Sequence, residues 1–156
     1  SIRYTDNFLS RIIHLLKQQQ VDASMLYTSD HGEDIFDDGR HLFLHASPVP
    51  SYYQLHVPLL LWTSDSYREE YPGIEKAASM NRQKNISSSI SFFQTMMELA
   101  GIETPYRNDS LSVTSPLYTE KSRVYLNDHN EPRPLDDIGM RKEDFEMLKK
   151  RGIDAQ

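Results

Sequence analysis

The sequence contains no cysteine among its 156 residues. A disulfide framework and a zinc site built from thiolates are therefore excluded. Long hydrophobic runs are missing as well. The longest, Val57 to Trp62, is far shorter than the roughly 20 apolar residues that a membrane-spanning helix needs. The sequence thus predicts no membrane segment within this chain.

Positive charge is also scarce, because 17 Lys and Arg residues stand against 23 Asp and Glu, for a net charge of -6 at pH 7. General nucleic-acid binders need an excess of basic residues to neutralise phosphates, so we expect no nucleic-acid partner. The length suits one domain with a sizeable core. The chain lacks an initiator Met and opens directly on a helical pattern, which is typical of a piece of a longer protein.

Hydrophobic periodicity predicts alternating helices and strands. Apolar residues recur at helical spacing from Phe8 to Leu16 and from Ile86 to Ala100, where Gly101 follows as a stop signal. A third, short helix is predicted over residues 141–152. Three short apolar runs predict strands: Ser24–Ser29, Val57–Trp62 and Arg123–Asp128. Residues 30–56 have the composition of one long loop, and residues 64–84 are charged and irregular. This order predicts an α/β fold with a layered sheet flanked by helices.

Ionisable residues cluster where the first predicted strand ends, in the sequence Asp30-His31-Gly32-Glu33. Ligands of open α/β sheets bind beyond the carboxyl ends of the strands. Carboxylate and imidazole groups are both zinc ligands, and Gly32 tolerates the positive φ of a sharp turn that would bring both to one ion. Asp and Gly are also ordinary turn residues, so a solvated acidic turn remains the alternative.

The other histidines are less informative by themselves. His45 lies in the following loop and adds some support to a metal site, while His41 and His56 are equally available by composition. His56 directly precedes an apolar strand, so we expect it to pack or to form a hydrogen bond. We expect His14 to lie on a helix surface. His129 follows Asp128 in a segment predicted to be surface rather than a second metal contact.

Four ordered blocks, TDNFLSRIIHLLK, SMLYTSDHGE, LFLHASP and HVPLLLW, resemble the C-terminal half of a catalytic domain of the alkaline phosphatase superfamily. The resemblance, over roughly residues 1–126, is to the sulfatase-like branch that includes bacterial phosphoethanolamine transferases. It implies a partial alkaline-phosphatase-like α/β fold. Residues 1–156 are then expected to be a single C-terminal fragment of a larger catalytic domain whose upstream part is missing.

The resemblance also implies a function and assigns residues to it. The reaction would be zinc-dependent transfer of phosphoethanolamine, or a similar phospho-group, from a lipid donor to an envelope lipid or glycan acceptor. It would take place at the periplasmic face of the bacterial inner membrane. Asp30 and His31 would bind the catalytic Zn²⁺. His45 would contact the phosphoryl group or a second metal, although Ala46 stands where the family usually has Gly. Glu33 would have a supporting role.

The same resemblance places the nucleophile, a threonine, on an upstream strand, and neither Thr5 nor Thr28 fits that position. The isolated chain is therefore expected to be inactive and to bind zinc weakly. Three other functions remain open: a sulfatase that hydrolyses sulfuric esters, a phosphoglycerol transferase, and a non-catalytic α/β binding module. In the last case SDHGED would be a solvated loop, and SPVPSYYQLH would either bind a partner or form a flexible loop.

Overall fold

The computed structural model describes residues 2–45, 49–127, 129 and 131–153. Helices and short strands alternate along the chain, which confirms the predicted α/β class with small sheets flanked by helices. The helices are α1 (Ile2–Gln19), α2 (Tyr52–Leu55), α3 (Asp65–Glu70), α4 (Pro72–Asn81), α5 (Ser88–Leu99) and α6 (Lys142–Lys150). The strands are β1 (Ser24–Thr28), β2 (Asp34–Ile35), β3 (Phe43–Leu44), β4 (Leu59–Thr63), β5 (Val124–Leu126) and β6 (Pro132–Pro134).

The strands form three two-stranded sheets within the described residues: β1 with β4, β2 with β3, and β5 with β6. The second and third pairs are antiparallel. The three predicted strands correspond to β1, β4 and β5 with slightly different ends. The sequence did not predict β2, β3 and β6, because strands of two or three residues are too short for a recognisable period. The loop predicted for residues 30–56 therefore contains a hairpin and the short helix α2.

The chain divides into two compact units, and the first comprises Ser1–Tyr27 and Leu59–Thr119. The prediction of an irregular segment at residues 64–84 was wrong, since α3 and α4 lie there. The Ser64 hydroxyl caps α3 by accepting a hydrogen bond from the Tyr67 amide, and Pro72 begins α4. These helices were not predicted because most of their residues are exposed, many of them charged, so that the apolar positions form no clear helical pattern. After α5, Gly101 has a φ of 62°, so it ends that helix as predicted.

Helix α1 belongs to this first unit, and its apolar stripe is at most half-buried, since none of its residues is buried. His14 is exposed on it, as the sequence predicts. Among the described residues no helix is both long and apolar enough to cross a membrane.

The second unit comprises Thr28–Pro58 and Glu120–Gln156. Its core is a cluster of four buried side chains: Tyr52, Leu135, Met140 and Leu148. These residues come from α2, from α6 and from the segment before α6, and α2 packs against α6. The segment that follows β1 and the β2–β3 hairpin both belong to this unit, so its core supports the ionisable cluster at residues 30–33.

Candidate metal centre

The β2–β3 hairpin brings Glu33 and His45 together. Asp34 pairs with Leu44, and Ile35 pairs with Phe43, so Glu33 and His45 lie one position beyond the paired residues on each strand. The imidazole Nδ1 of His45 donates a hydrogen bond to Oε1 of Glu33 over 2.8 Å. The hairpin thus places an imidazole and a carboxylate side by side.

His31 completes this group. Its ring centroid lies 3.9 Å from that of His45, and its Nδ1 lies 3.9 Å from Glu33 Oε1. The same Nδ1 also lies 3.0 Å from the Gly32 carbonyl oxygen, and donation to that oxygen leaves Nε2 unprotonated and able to bind a metal. One ligand atom from each of His31, Glu33 and His45 lies within 4.8 Å of the others. We call these three residues the metal cluster.

The chemistry of this donor set fits a zinc ion. Two imidazoles and one carboxylate are a ligand set of catalytic zinc sites, in which three protein ligands leave a further position for substrate or water. His31 is half-buried, and Glu33 and His45 are exposed, so a ligand can reach the cluster from solvent. The Glu33 carboxylate also supplies a negative charge to balance that of a cation.

Asp30, the other predicted zinc ligand, lies beside the cluster and outside it. Its carboxylate Oδ2 is 3.7 Å from His31 Nε2, and its side chain is 85% exposed. Hydrogen bonds from the backbone amides, that of His31 first, hold the pKa of Asp30 below its ordinary value, and the nearby His31 adds to this shift. Asp30 is therefore ionised at neutral pH. The roles of Asp30 and His31 as zinc ligands, and of His45 as a contact to the phosphoryl group or a second metal, remain predictions.

Gly32 is required by a close approach and not by a positive φ, which corrects the reason given for it from the sequence. Its amide donates a 2.7 Å hydrogen bond to the carbonyl oxygen of Gln54. A Cβ atom at this position would lie only 2.0 Å from the carbonyl oxygen of Tyr53. Only glycine lets the segment that carries His31 pass this close to α2.

Asp34 anchors the hairpin and was not identified from the sequence. Its side chain is buried, and its two oxygens accept hydrogen bonds from Ser51 Oγ at 2.6 Å and Gln54 Nε2 at 2.5 Å. These donors stand 17 and 20 residues further along the chain, so no local pattern indicates the contact. These two hydrogen bonds fix the hairpin against α2 at the residue that directly follows Glu33.

The other histidines of the described residues are not members of the metal cluster. His56 has the packing role expected of it: its ring stacks on Tyr52, and its Nδ1 accepts a 2.8 Å hydrogen bond from the Tyr52 hydroxyl. His41 is exposed in the hairpin turn with a φ of 54°. Asp128 and His129 form the pair that was predicted to lie on the surface, and Asp128 lies outside the described residues. Ala46, which follows His45, also lies outside them.

The chain is similar in sequence and in fold to known proteins. The sulfatase family model matches residues 1–102. Phosphoethanolamine transferase EptA of Salmonella typhimurium is 31% identical over 121 residues, which are 74% of this chain and 22% of that protein. The chain therefore spans about a fifth of the length of this curated relative.

Two solved structures of the C-terminal periplasmic domain of EptC from Escherichia coli have the same fold. One superposes with a TM-score of 0.68 at 25% identity, over 78% of this chain and 33% of the other. The second, a complex with Zn, gives a TM-score of 0.65 at 23% identity, over 87% and 38%. The resemblance to phosphoethanolamine transferases and the alkaline-phosphatase-like fold are thereby confirmed. The chain belongs to the sulfatase family.

Proposed function

We propose that this chain is the C-terminal part of a larger catalytic domain that transfers phosphoethanolamine, or a similar phospho-group, from a lipid donor to an envelope lipid or glycan. The observation that carries the proposal is the convergence of His31, Glu33 and His45, in a chain whose curated relatives are phosphoethanolamine transferases. By the same relationship we place the reaction on the periplasmic side of the inner membrane, since the similar solved structures are periplasmic domains.

Zinc is the ion that we propose for the cluster. The two imidazoles and the carboxylate match its catalytic ligand sets, and the Zn complex of a protein with the same fold agrees with this choice. Bound there, zinc would supply positive charge to the transferring oxygens and lower the pKa of a coordinated hydroxyl. Asp30 stands close enough to His31 to serve as a further ligand or to orient its ring.

The residues in and beside the metal cluster have different roles in this proposal. Gly32 and Asp34 hold the backbone on both sides of Glu33, so the carboxylate is oriented before any ligand binds. The exposed His45 would bind the ion, and the zinc that it helps to hold would offset the negative charge that develops on a phosphoryl oxygen. The nucleophile would come from the upstream part of the domain, so we expect the isolated 156-residue chain to be inactive.

Metal content and transfer activity of the full-length protein test this function. His31→Ala and His45→Ala should each lower bound zinc, measured by elemental analysis, and reduce phosphoethanolamine transfer from phosphatidylethanolamine vesicles to lipid A. His14→Ala is the matched control, because His14 is an exposed histidine on α1. Unchanged zinc content and unchanged transfer in both cluster variants would contradict the proposal.

Hydrolysis of sulfuric esters is the second candidate, and the match to the sulfatase family model favours it. An aryl sulfate ester offered to the same full-length protein separates the two reactions. Rapid release of sulfate without phosphoethanolamine transfer would assign the site to sulfate esters. We expect the opposite result, because the curated relatives are transferases.

A further inference from the structure

We propose that Asp144, on the C-terminal helix α6, is a positioning residue for the metal cluster. This inference rests on the proposed function, and it concerns a residue that the sulfatase family model, which ends at residue 102, does not reach. The Asp144 carboxylate is 1% exposed and contacts both structures that hold the cluster in place, the β2–β3 hairpin and helix α2.

The first contact is an ion pair with the hairpin. Arg40, between β2 and β3, donates hydrogen bonds from its two terminal nitrogens to the two oxygens of Asp144, at 2.7 and 2.8 Å. The same guanidinium binds Asp38 at 2.6 to 3.0 Å, and only 11% of the Arg40 side chain is exposed. The planar guanidinium thus joins two carboxylates, and the hydrogen bonds that it donates to Asp38 and then to Asp144 raise the pKa of Arg40. Arg40 is held at the centre of the turn that joins Glu33 to His45.

The second contact is with α2. The backbone amide of Tyr52 donates a 2.9 Å hydrogen bond to Oδ1 of Asp144 at the start of this helix. The same helix contributes the Gln54 side chain that binds Asp34 and the Gln54 carbonyl that binds the Gly32 amide. Asp144 therefore fixes α2, and α2 fixes the backbone on both sides of Glu33.

Asp144 reaches this place because α6 folds locally in a defined way. It is the third residue of the helix, and its carboxylate also accepts a 3.3 Å hydrogen bond from the Arg141 amide, which closes the first turn. Leu148, one turn later on the same helix, lies in the core cluster of the second unit. Helix formation and core packing together place the buried Asp144 carboxylate against the Arg40 guanidinium.

A buried charge that loses its partner is costly, so the removal of Asp144 should disturb Arg40 more than a neutral substitution elsewhere on α6 would. Asp144→Asn removes the negative charge and retains an oxygen that can accept the hydrogen bond from the Tyr52 amide. It therefore weakens the contact with the hairpin and the long hydrogen bond from the Arg141 amide, and it keeps the contact with α2. Arg40→Lys weakens the same contact from the other side, because an ammonium group keeps the charge and lacks the fork that binds two carboxylates.

The test measures the zinc affinity of the full-length protein by competition with a chelator, together with kcat and KM for phosphoethanolamine transfer. We expect Asp144→Asn and Arg40→Lys to weaken zinc binding by about 10-fold or more, as loss of a group that orients a metal ligand does. We expect kcat to fall and KM to change little. Leu148→Ala is the control, since it destabilises the same helix through a cavity and leaves the Asp144–Arg40 contact in place.

The outcomes separate the two claims. If His45→Ala lowers zinc affinity and Asp144→Asn and Arg40→Lys do not, the positioning role is wrong and the proposed function stands. If Leu148→Ala lowers zinc affinity as much as Asp144→Asn does, the effect is general destabilisation and the positioning role is again wrong. If His31→Ala and His45→Ala both leave zinc affinity and transfer unchanged, both proposals fail. Should Asp144→Asn not fold, the Arg40→Lys variant decides the question with the same measurements.

Discussion

Nδ1 of His45 lies 2.8 Å from Oε1 of Glu33, although twelve positions separate the two residues in the chain. The contact arises because β2 and β3 pair with Asp34 opposite Leu44, which leaves the next residue on each strand free to meet. A carboxylate and an imidazole are thereby brought together by backbone hydrogen bonds.

Substitution of Gly32 by alanine should disrupt the metal cluster. The new Cβ would lie 2.0 Å from the Tyr53 carbonyl oxygen, so the segment must move and lose the hydrogen bond to Gln54. We expect a loss of about 1–3 kcal/mol in the free energy of unfolding, measured by urea denaturation, and weaker zinc binding. Gly39→Ala is the control, because a Cβ there meets nothing within 4 Å. Equal stability of the two variants would contradict the steric argument.

Asp34→Ala should destabilise the second unit. Its removal leaves Ser51 Oγ and Gln54 Nε2 without their acceptor in a buried setting, at a cost of about 1–3 kcal/mol for each unsatisfied donor. A double-mutant cycle with Gln54→Ala measures the coupling directly. A coupling energy near zero in urea unfolding would show that the Asp34–Gln54 hydrogen bond contributes nothing.

Asn81→Ala tests the packing of the first unit. Asn81 is buried in α4, and its Nδ2 donates to the carbonyl oxygens of Val113 and Ser115 at 3.0 and 2.7 Å. Two buried acceptors would lose their donor, so we expect a loss of about 2 kcal/mol in the free energy of unfolding. Asn7→Ala, on the exposed face of α1, should cause no loss. Thermal unfolding followed by circular dichroism would distinguish the two variants.

The stability of the protein should depend on His56 below neutral pH. Burial lowers the pKa of His56 first, and the positive charges of Arg151 and Arg123 lower it further. The unfolded chain therefore takes up the proton more readily, so the free energy of unfolding falls as the pH drops below about 6.5 towards the lower pKa of the folded state. Urea unfolding at pH 7.5 and 5.5, with a chelator present to remove metal effects, measures this.

The His56→Gln variant should show a smaller decrease between these two pH values than the unsubstituted protein. It removes the titrating group and keeps a polar side chain near the Tyr52 hydroxyl. An equal decrease in both proteins would show that the protonation of His56 does not oppose folding.

The sequence predicted the parts of the fold that have a long period or a clear stop signal. The apolar stripe of α1, the run in β4 and the Gly101 stop after α5 all led to correct elements. Helices α3 and α4 were missed because their buried positions are few, Tyr67 and Ala77 among them, and their charges dominate the pattern. The short strands of the hairpin carry too few residues for any periodicity.

The candidate site was predicted in part for a similar reason. Asp30 and His31 were predicted as zinc ligands from their residue types, and the resemblance to a known family assigned His45 its contact with the phosphoryl group or a second metal. Glu33 joined the candidate ligands only when hairpin pairing placed it against His45. The contact between Arg40 and Asp144 spans 104 positions, and Asp144 reads as an ordinary helix-capping residue in the sequence. Contacts of this range depend on the packed fold and leave no local signal.

The hairpin register has a consequence for how this segment can vary. Side chains alternate between the two faces of a strand, so the insertion or deletion of a single residue between Ile35 and Phe43 would turn Glu33 and His45 to opposite faces unless the turn absorbed it. The turn thus acts as a spacer whose length sets which residues of the two strands face each other. A change in its length would separate the carboxylate from the imidazole.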